Sequence, residues 1–156
     1  MPREALALSL GVLLFALFPL RGMGAPSAYQ MEILIFAQGE GDGRDIVEPI
    51  EGGVPPELLP ESRYRLSGAE RVLSRAKGYH PLLHLAWKQP LSQSTRIEGA
   101  GIEGVIRLYR AQGLWVDIRL LFEDRYYLKA KRKVRLNEIH YFDHPRFGVL
   151  LWVEAL

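Results

Sequence analysis

The apolar positions change period several times along the chain, and each change marks an expected element. In "YQMEILIF", Tyr29 to Phe36, Met31, Ile33 and Ile35 share one side while Leu34 and Phe36 share the other, the period of two that defines a β-strand. Apolar residues on both faces predict a strand in the interior of its sheet. "LSGAERVLSRAKGY" changes to helical spacing, with Leu66, Ala69, Val72, Leu73 and Ala76 on one face. Ser67 followed by Glu70 predicts a capping box at its start, and Gly78 supplies the stop. "YHPLLHLAWKQPL" predicts a second strand, bounded by Pro81 and Pro90. In "GVIRLYRAQGLWVDIRLLFED", two alternating runs flank Ala111, Gln112 and Gly113, a hairpin with glycine at the turn. Ile106, Leu108, Leu114, Val116, Ile118, Leu120 and Phe122 are its expected inward set. "RYYLKAKRKVRLNEI" alternates Leu128, Ala130, Val134 and Leu136 with Lys129, Lys131, Lys133 and Arg135, and "RFGVLLWVEAL" is the last strand. The expected fold is α+β: a mostly antiparallel sheet of about six strands with one main covering helix, in the order β-α-β-β-β-β-β.

Two segments fall outside this pattern. The first 24 residues place Arg3 ahead of an uncharged run from Ala5 to Leu20, then Pro19, Gly22 and Gly24 near its end. That is the charged, apolar, small-residue order of a secretory signal. The run is short for a spanning helix, which needs about 20 residues. Cleavage is expected after Gly24 or as late as Ala28, leaving a single domain over 29–156 with no stable membrane anchor, in the periplasm. Residues 37–62 are rich in glycine, proline and acid, with Arg44 the only base, and predict a flexible acidic loop.

Composition narrows the chemistry. The 156-residue chain has no cysteine, which excludes disulfides, thiol nucleophiles and thiolate zinc sites. Without residues 1–24 the balance is 18 basic to 17 acidic side chains, so the distribution of charge matters more than its sum. "GAGIEG", Gly99 to Gly104, matches a dinucleotide fingerprint, but a strand rather than a helix follows it; a flexible loop is expected. "SRAK", Ser74 to Lys77, lacks the companion motifs of penicillin-binding enzymes. The carboxylates concentrate in the acidic loop, so no pair on a rigid scaffold is evident for glycoside hydrolysis. His80 and His84, and again His140 and His144, are spaced i, i+4. On strands that spacing is about 13 Å, too long for one ion. A helix would close it, but Pro81 and Pro145 each follow a histidine and disfavour helical backbone there. His140, Asp143, His144 and Pro145 are therefore expected to form a structural corner into the last strand, with Asp143 accepting from a nearby backbone donor. No metal, cofactor or catalytic set is expected.

The stronger lead is one strand face. Lys129, Lys131, Lys133 and Arg135 share a side, and Arg107, Tyr109, Trp115 and Arg119 hold the outward positions of the preceding hairpin. In register, they form a basic and aromatic surface suited to an anionic polymer. An exported protein rarely meets nucleic acid, whereas peptidoglycan offers peptide carboxylates and sugar rings that stack on aromatic faces.

Four of these segments resemble the CsiV family of periplasmic peptidoglycan-binding proteins. They are "YQMEILIF", "GYHPLLHLAWKQPL", "RLYRAQGLWVDIRL" and "LNEIHYFDHPRFGVLLWV". The last carries the family's His-Tyr-x-Asp-His-Pro-x-Phe-Gly run at His140, Tyr141, Asp143, His144, Pro145, Phe147 and Gly148. The family usually has a longer segment between the first strand and the helix than residues 37–62 provide. The resemblance implies a non-enzymatic periplasmic protein that binds peptidoglycan and supports cell-wall assembly. The alternative expectation is a periplasmic adaptor that regulates a peptidoglycan synthase, or the synthase's regulator, by protein contact without binding glycan.

Overall fold

The computed structural model describes residues 24–156. The apolar leader, and with it the expected export signal, falls outside the described residues. Within them the strands are β1 (Tyr29–Gln38), β2 (Glu57–Leu58), β3 (Tyr79–Gln89), β4 (Ser94–Gly99), β5 (Ile102–Arg110), β6 (Leu114–Phe122), β7 (Tyr126–Val134), β8 (Ile139–His144) and β9 (Phe147–Ala155). One α-helix, α1 (Ser67–Arg75), and a single 3-10 turn at Glu61–Arg63 complete the element order. The strands form a five-stranded sheet, β2-β3-β1-β9-β8, and a four-stranded sheet, β4-β5-β6-β7. Every strand pair within the sheets is antiparallel. The α+β reading holds at this level, but the strand count rises from the expected six to nine, divided between two sheets.

The core lies between the sheets. Met31, Ile33 and Ile35 of β1 and Val149, Leu151 and Val153 of β9 meet Ile106, Leu108, Val116, Ile118 and Leu120 from β5 and β6. All are fully removed from solvent, the arrangement that lets two apolar sheet faces bury each other. β1 is flanked by β3 and β9, the interior place its two apolar faces predict.

The helix lies outside this sandwich, against β3. Its start differs from the expected capping box. Leu66 is the N-cap residue, Ser67 is already helical, and no side chain of the cap closes the turn. A carboxylate from β1 does so instead: Glu32 accepts the backbone N–H of Arg65 at 2.6 Å and of Leu66 at 2.8 Å. Glu70, expected to reach back to the cap, bonds His84 at 2.7 Å. Val72, expected on the covered face, is 69% exposed, because the helix packs on β3 along one flank only.

Two local features correct further expectations. "GAGIEG" is not a flexible loop; Ala100 and Gly101, with φ of 51° and 77°, turn β4 into β5. Positive φ at both central positions is the hairpin turn whose twist matches that of the strands. In β3 the pairing with β1 slips between Ile35 and Phe36, so that Leu83 faces Ile35 but Pro81 faces Phe36. The extra residue, Leu82, reverses the alternation. His84 consequently pairs with the outward Leu34, and His80 with Ala37, on the inward side. The two histidines stand on opposite faces, a stronger obstacle to a shared ion than distance.

Candidate functional site

The outer face of the four-stranded sheet carries the predicted cations and aromatics in aligned rows. Tyr109, Trp115 and Lys133 lie across β5, β6 and β7. The next row is Arg107, Asp117 and Lys131, and the one after it is Val105, Arg119 and Lys129. The hairpin register is set by the three-residue turn at Ala111 to Gly113, as expected, and Trp115 Nε1 donates to the Ala111 carbonyl at 2.9 Å. The guanidinium of Arg107 sits 5.3 Å from the centre of the Tyr109 ring, within the range of a cation–π contact. Asp117 interrupts the positive field and approaches Lys131 at 3.7 Å. Arg135, expected in line with the lysines, lies past the end of β7, and its guanidinium is 3.9 Å from Glu138. The strand stops at Val134 because the chain must turn there toward β8.

Of residues 37–62, the stretch from Asp45 to Val54 runs across this face as a strap, while Ala37 and Gln38 end β1 and Glu57 and Leu58 form β2. At the β7 edge, Asp45 accepts the backbone N–H of Tyr127 at 2.8 Å and Glu48 meets the Lys129 ammonium at 2.8 Å. At the β4 edge, the carbonyls of Ile50 and Gly52 accept from Arg96 Nη1, each at 3.3 Å. Val54 then bridges Thr95, and β2 joins β3. The strap therefore crosses at the row of Arg119 and Lys129, where the Lys129 side chain stays 46% exposed, and leaves Arg107, Tyr109, Trp115, Lys131 and Lys133 beyond its edge. The Lys129 ammonium holds the Glu48 carboxyl below its usual range, and Glu48 in turn raises the lysine.

At the corner, Pro145 and Arg146 turn β8 into β9. His140, Phe142 and His144 face the core side of the sheet, while Tyr141 and Asp143 face outward, because β8 alternates without a bulge. The Nδ1 atom of His144 accepts the Arg146 backbone N–H at 3.0 Å, which leaves Nε2–H to donate to Asp45 at 2.6 Å. The Tyr127 backbone N–H lowers the Asp45 pKa most; burial opposes this, and His144 adds to it. The Nε2 atom of His140 lies 3.1 Å from both backbone atoms, N and O, of Arg135. Asp143 departs from its expected backbone donor: its Oδ1 accepts from the side chains of Gln38, at 2.6 Å, and Tyr141, at 2.7 Å. The outward register of Asp143 explains this, since it places the carboxylate beside the end of β1 rather than inside the turn. Among the described residues, no group of three or more His, Asp or Glu side chains is arranged to hold a metal ion.

Sequence reasoning passed over one polar cluster. His84 bonds Glu32 through Nε2 and Glu70 through Nδ1, both at 2.7 Å. Both ring nitrogens face carboxylate oxygens, an arrangement that favours the doubly protonated ring. Burial lowers the His84 pKa, and the two carboxylates outweigh it to leave a net rise. Glu32 among apolar neighbours in "YQMEILIF" was the available signal: a charge on an interior strand needs a buried partner.

A two-sheet antiparallel body that presents a basic and aromatic outer face has the form of a binding module. A family model described as "Peptidoglycan-binding protein, CsiV" matches residues 51–125 and 102–156. These matches run over more than half of the chain, and the protein belongs to that family. No curated protein and no solved structure matches the chain.

Proposed function

We propose that the protein is a non-enzymatic periplasmic component that binds peptidoglycan and supports cell-wall assembly. The observation that carries this reading is the uncovered strip of Arg107, Lys131 and Lys133 around Tyr109 and Trp115. Cations there meet the carboxylates of peptide stems, and the aromatic faces take sugar rings. The family description supports the polymer class, and the leader's pattern supports the compartment. Replacing Arg107, Lys131 and Lys133 together with glutamine tests the strip. Loss of three surface ion contacts is expected to weaken binding to purified sacculi by about tenfold or more. Unchanged binding would exclude the strip. Absence of sacculus binding by the unaltered protein, with a cell-wall synthase recovered from envelope extract, would favour the adaptor.

A further inference from the structure

A cleft of about 510 Å³ opens at one end of the five-stranded sheet, between the end of β1, the start of β3 and the β8–β9 turn. Gln38, Lys77, Tyr79, Tyr141, Asp143 and Pro145 line it. None belongs to the basic strip, which lies on the other outer face of the sandwich. The volume falls within the roughly 300–1,000 Å³ of small-ligand sites.

The cleft is built around aromatic rings. Phe36, only 3% exposed, packs behind the two lining tyrosines. Its ring centre lies 6.3 Å from that of Tyr141, with planes 8° apart, and 5.9 Å from that of Tyr79, edge to face. Tyr79 and Tyr141 nevertheless stay 39% and 43% exposed. Phe36 occupies the space above Gly148, where any added Cβ would collide with its ring. The tyrosines are thus held in place by a buried neighbour and still offer ring surface to a ligand.

The polar groups are also fixed. Asp143 Oδ1 accepts from Gln38 and Tyr141, and Gln38 donates further to the His144 carbonyl at 2.8 Å. Those bonds orient the carboxylate and the amide while leaving Asp143 Oδ2 and Gln38 Oε1 as acceptors. A hexopyranose fits this set: its axial C–H groups make an apolar face and its hydroxyls donate around the rim. A polyphosphate fits less well, because Asp143 would repel it and Lys77 alone would have to offset several charges. A purely apolar segment does not fit, because it would leave the carboxylate and amide unpaired.

We propose that this cleft is a glycan subsite, taking N-acetylated sugar residues stacked on Tyr79 or Tyr141, with their hydroxyls donating to Asp143 and Gln38. The proposal rests on the reading that the protein binds wall polymer and names where the sugar would sit. It turns part of the His140 to Gly148 run from a corner into a binding element: Tyr141 and Asp143 face the ligand, Pro145 forms a wall and Gly148 admits the Phe36 ring that backs the tyrosines.

The test is a titration of the isotope-labelled protein with the uncharged, peptide-free tetramer of N-acetylglucosamine, followed by NMR. Saturable shifts are expected at Gln38, Tyr79, Tyr141 and Asp143. Tyr79→Ala and Asp143→Asn are each expected to weaken tetramer binding about tenfold. Asp143→Asn keeps an acceptor for Gln38 and Tyr141, and the spectrum of each variant reports its fold directly. Shifts confined to the Trp115 strip, or absent, would overturn the subsite; if sacculi still sediment the protein, the wall-binding reading stands without it. Tetramer shifts at the cleft without sacculus binding would support the subsite and remove the wall-binding reading.

Discussion

His84 shows how much one residue depends on partners far away in the chain. Its side chain is 7% exposed and lies between Glu32, fully buried, and Glu70. Burial alone would favour the neutral ring; the two carboxylates reverse that preference and raise the folded-state pKa. A raised folded pKa gives stability that is complete below the unfolded value, about 6.5, and lost as pH rises through the folded value. Thermal midpoints measured across this range should therefore fall as pH rises, and His84→Gln should flatten that slope. Glu32→Ala removes one of the two carboxylates on His84 and leaves two backbone donors of the helix start without their acceptor, and should cost about 3–5 kcal/mol by denaturant unfolding. Gly148→Ala forces the Phe36 ring aside in a packed site, and should cost about 1–3 kcal/mol. A wild-type midpoint in that variant would show that the ring has room to move.

Among the elements, the segment from residue 37 to residue 62, which contains the strap, departs most from the alternating pattern. Its glycine, proline and acid content predicts a loop, and that much was legible. Its attachments were not, because Glu48 and Lys129 stand 81 residues apart and nothing local marks them as partners. Arg44 is its only basic residue, so trypsin can cut the segment at one place alone. Asp45→Ala removes the acceptor shared by Tyr127 and His144 and should speed cleavage at Arg44 several-fold, read by mass spectrometry over time; equal rates would mean that Asp45 does not fasten the strap. The strands divide along the same line. β1, the β5–β6 hairpin and β7 were legible because each carries a long, clean alternation. β4 was hidden because "STRIEG" sets only Thr95 and Ile97 inward, and β8 because its inward set includes two histidines beside Phe142. β2 is two residues long, too short for any period. For the basic face, strand alternation placed these side chains on one side of the sheet, but the strap's crossing at Arg119 and Lys129 and the end of β7 before Arg135 depend on chain packing beyond the strand. The cleft was invisible for the same reason. Phe36, Tyr79 and Tyr141 come from three strands, and only the sheet order brings them together.

At the scale of the whole molecule, the sandwich separates two kinds of surface. The four-stranded sheet turns an open strip of cations and aromatics outward, while the five-stranded sheet ends in an aromatic cleft that holds Asp143 and Lys77. A near-neutral chain can still be drawn to an anionic polymer when its cations are grouped, and such attraction is screened by salt, with a Debye length of about 10 Å at 0.1 M. Glu48 tempers it by neutralising Lys129. Glu48→Gln should therefore strengthen binding to sacculi at low salt and steepen its salt dependence; an unchanged isotherm would place Lys129 outside the contact. Co-sedimentation of the purified protein with protein-free sacculi across a salt series measures this attraction directly. Saturable binding is expected, weakening as salt rises and reduced when Arg107, Lys131 and Lys133 are neutralised together. No sedimentation at low salt would mean that the protein does not bind the wall polymer.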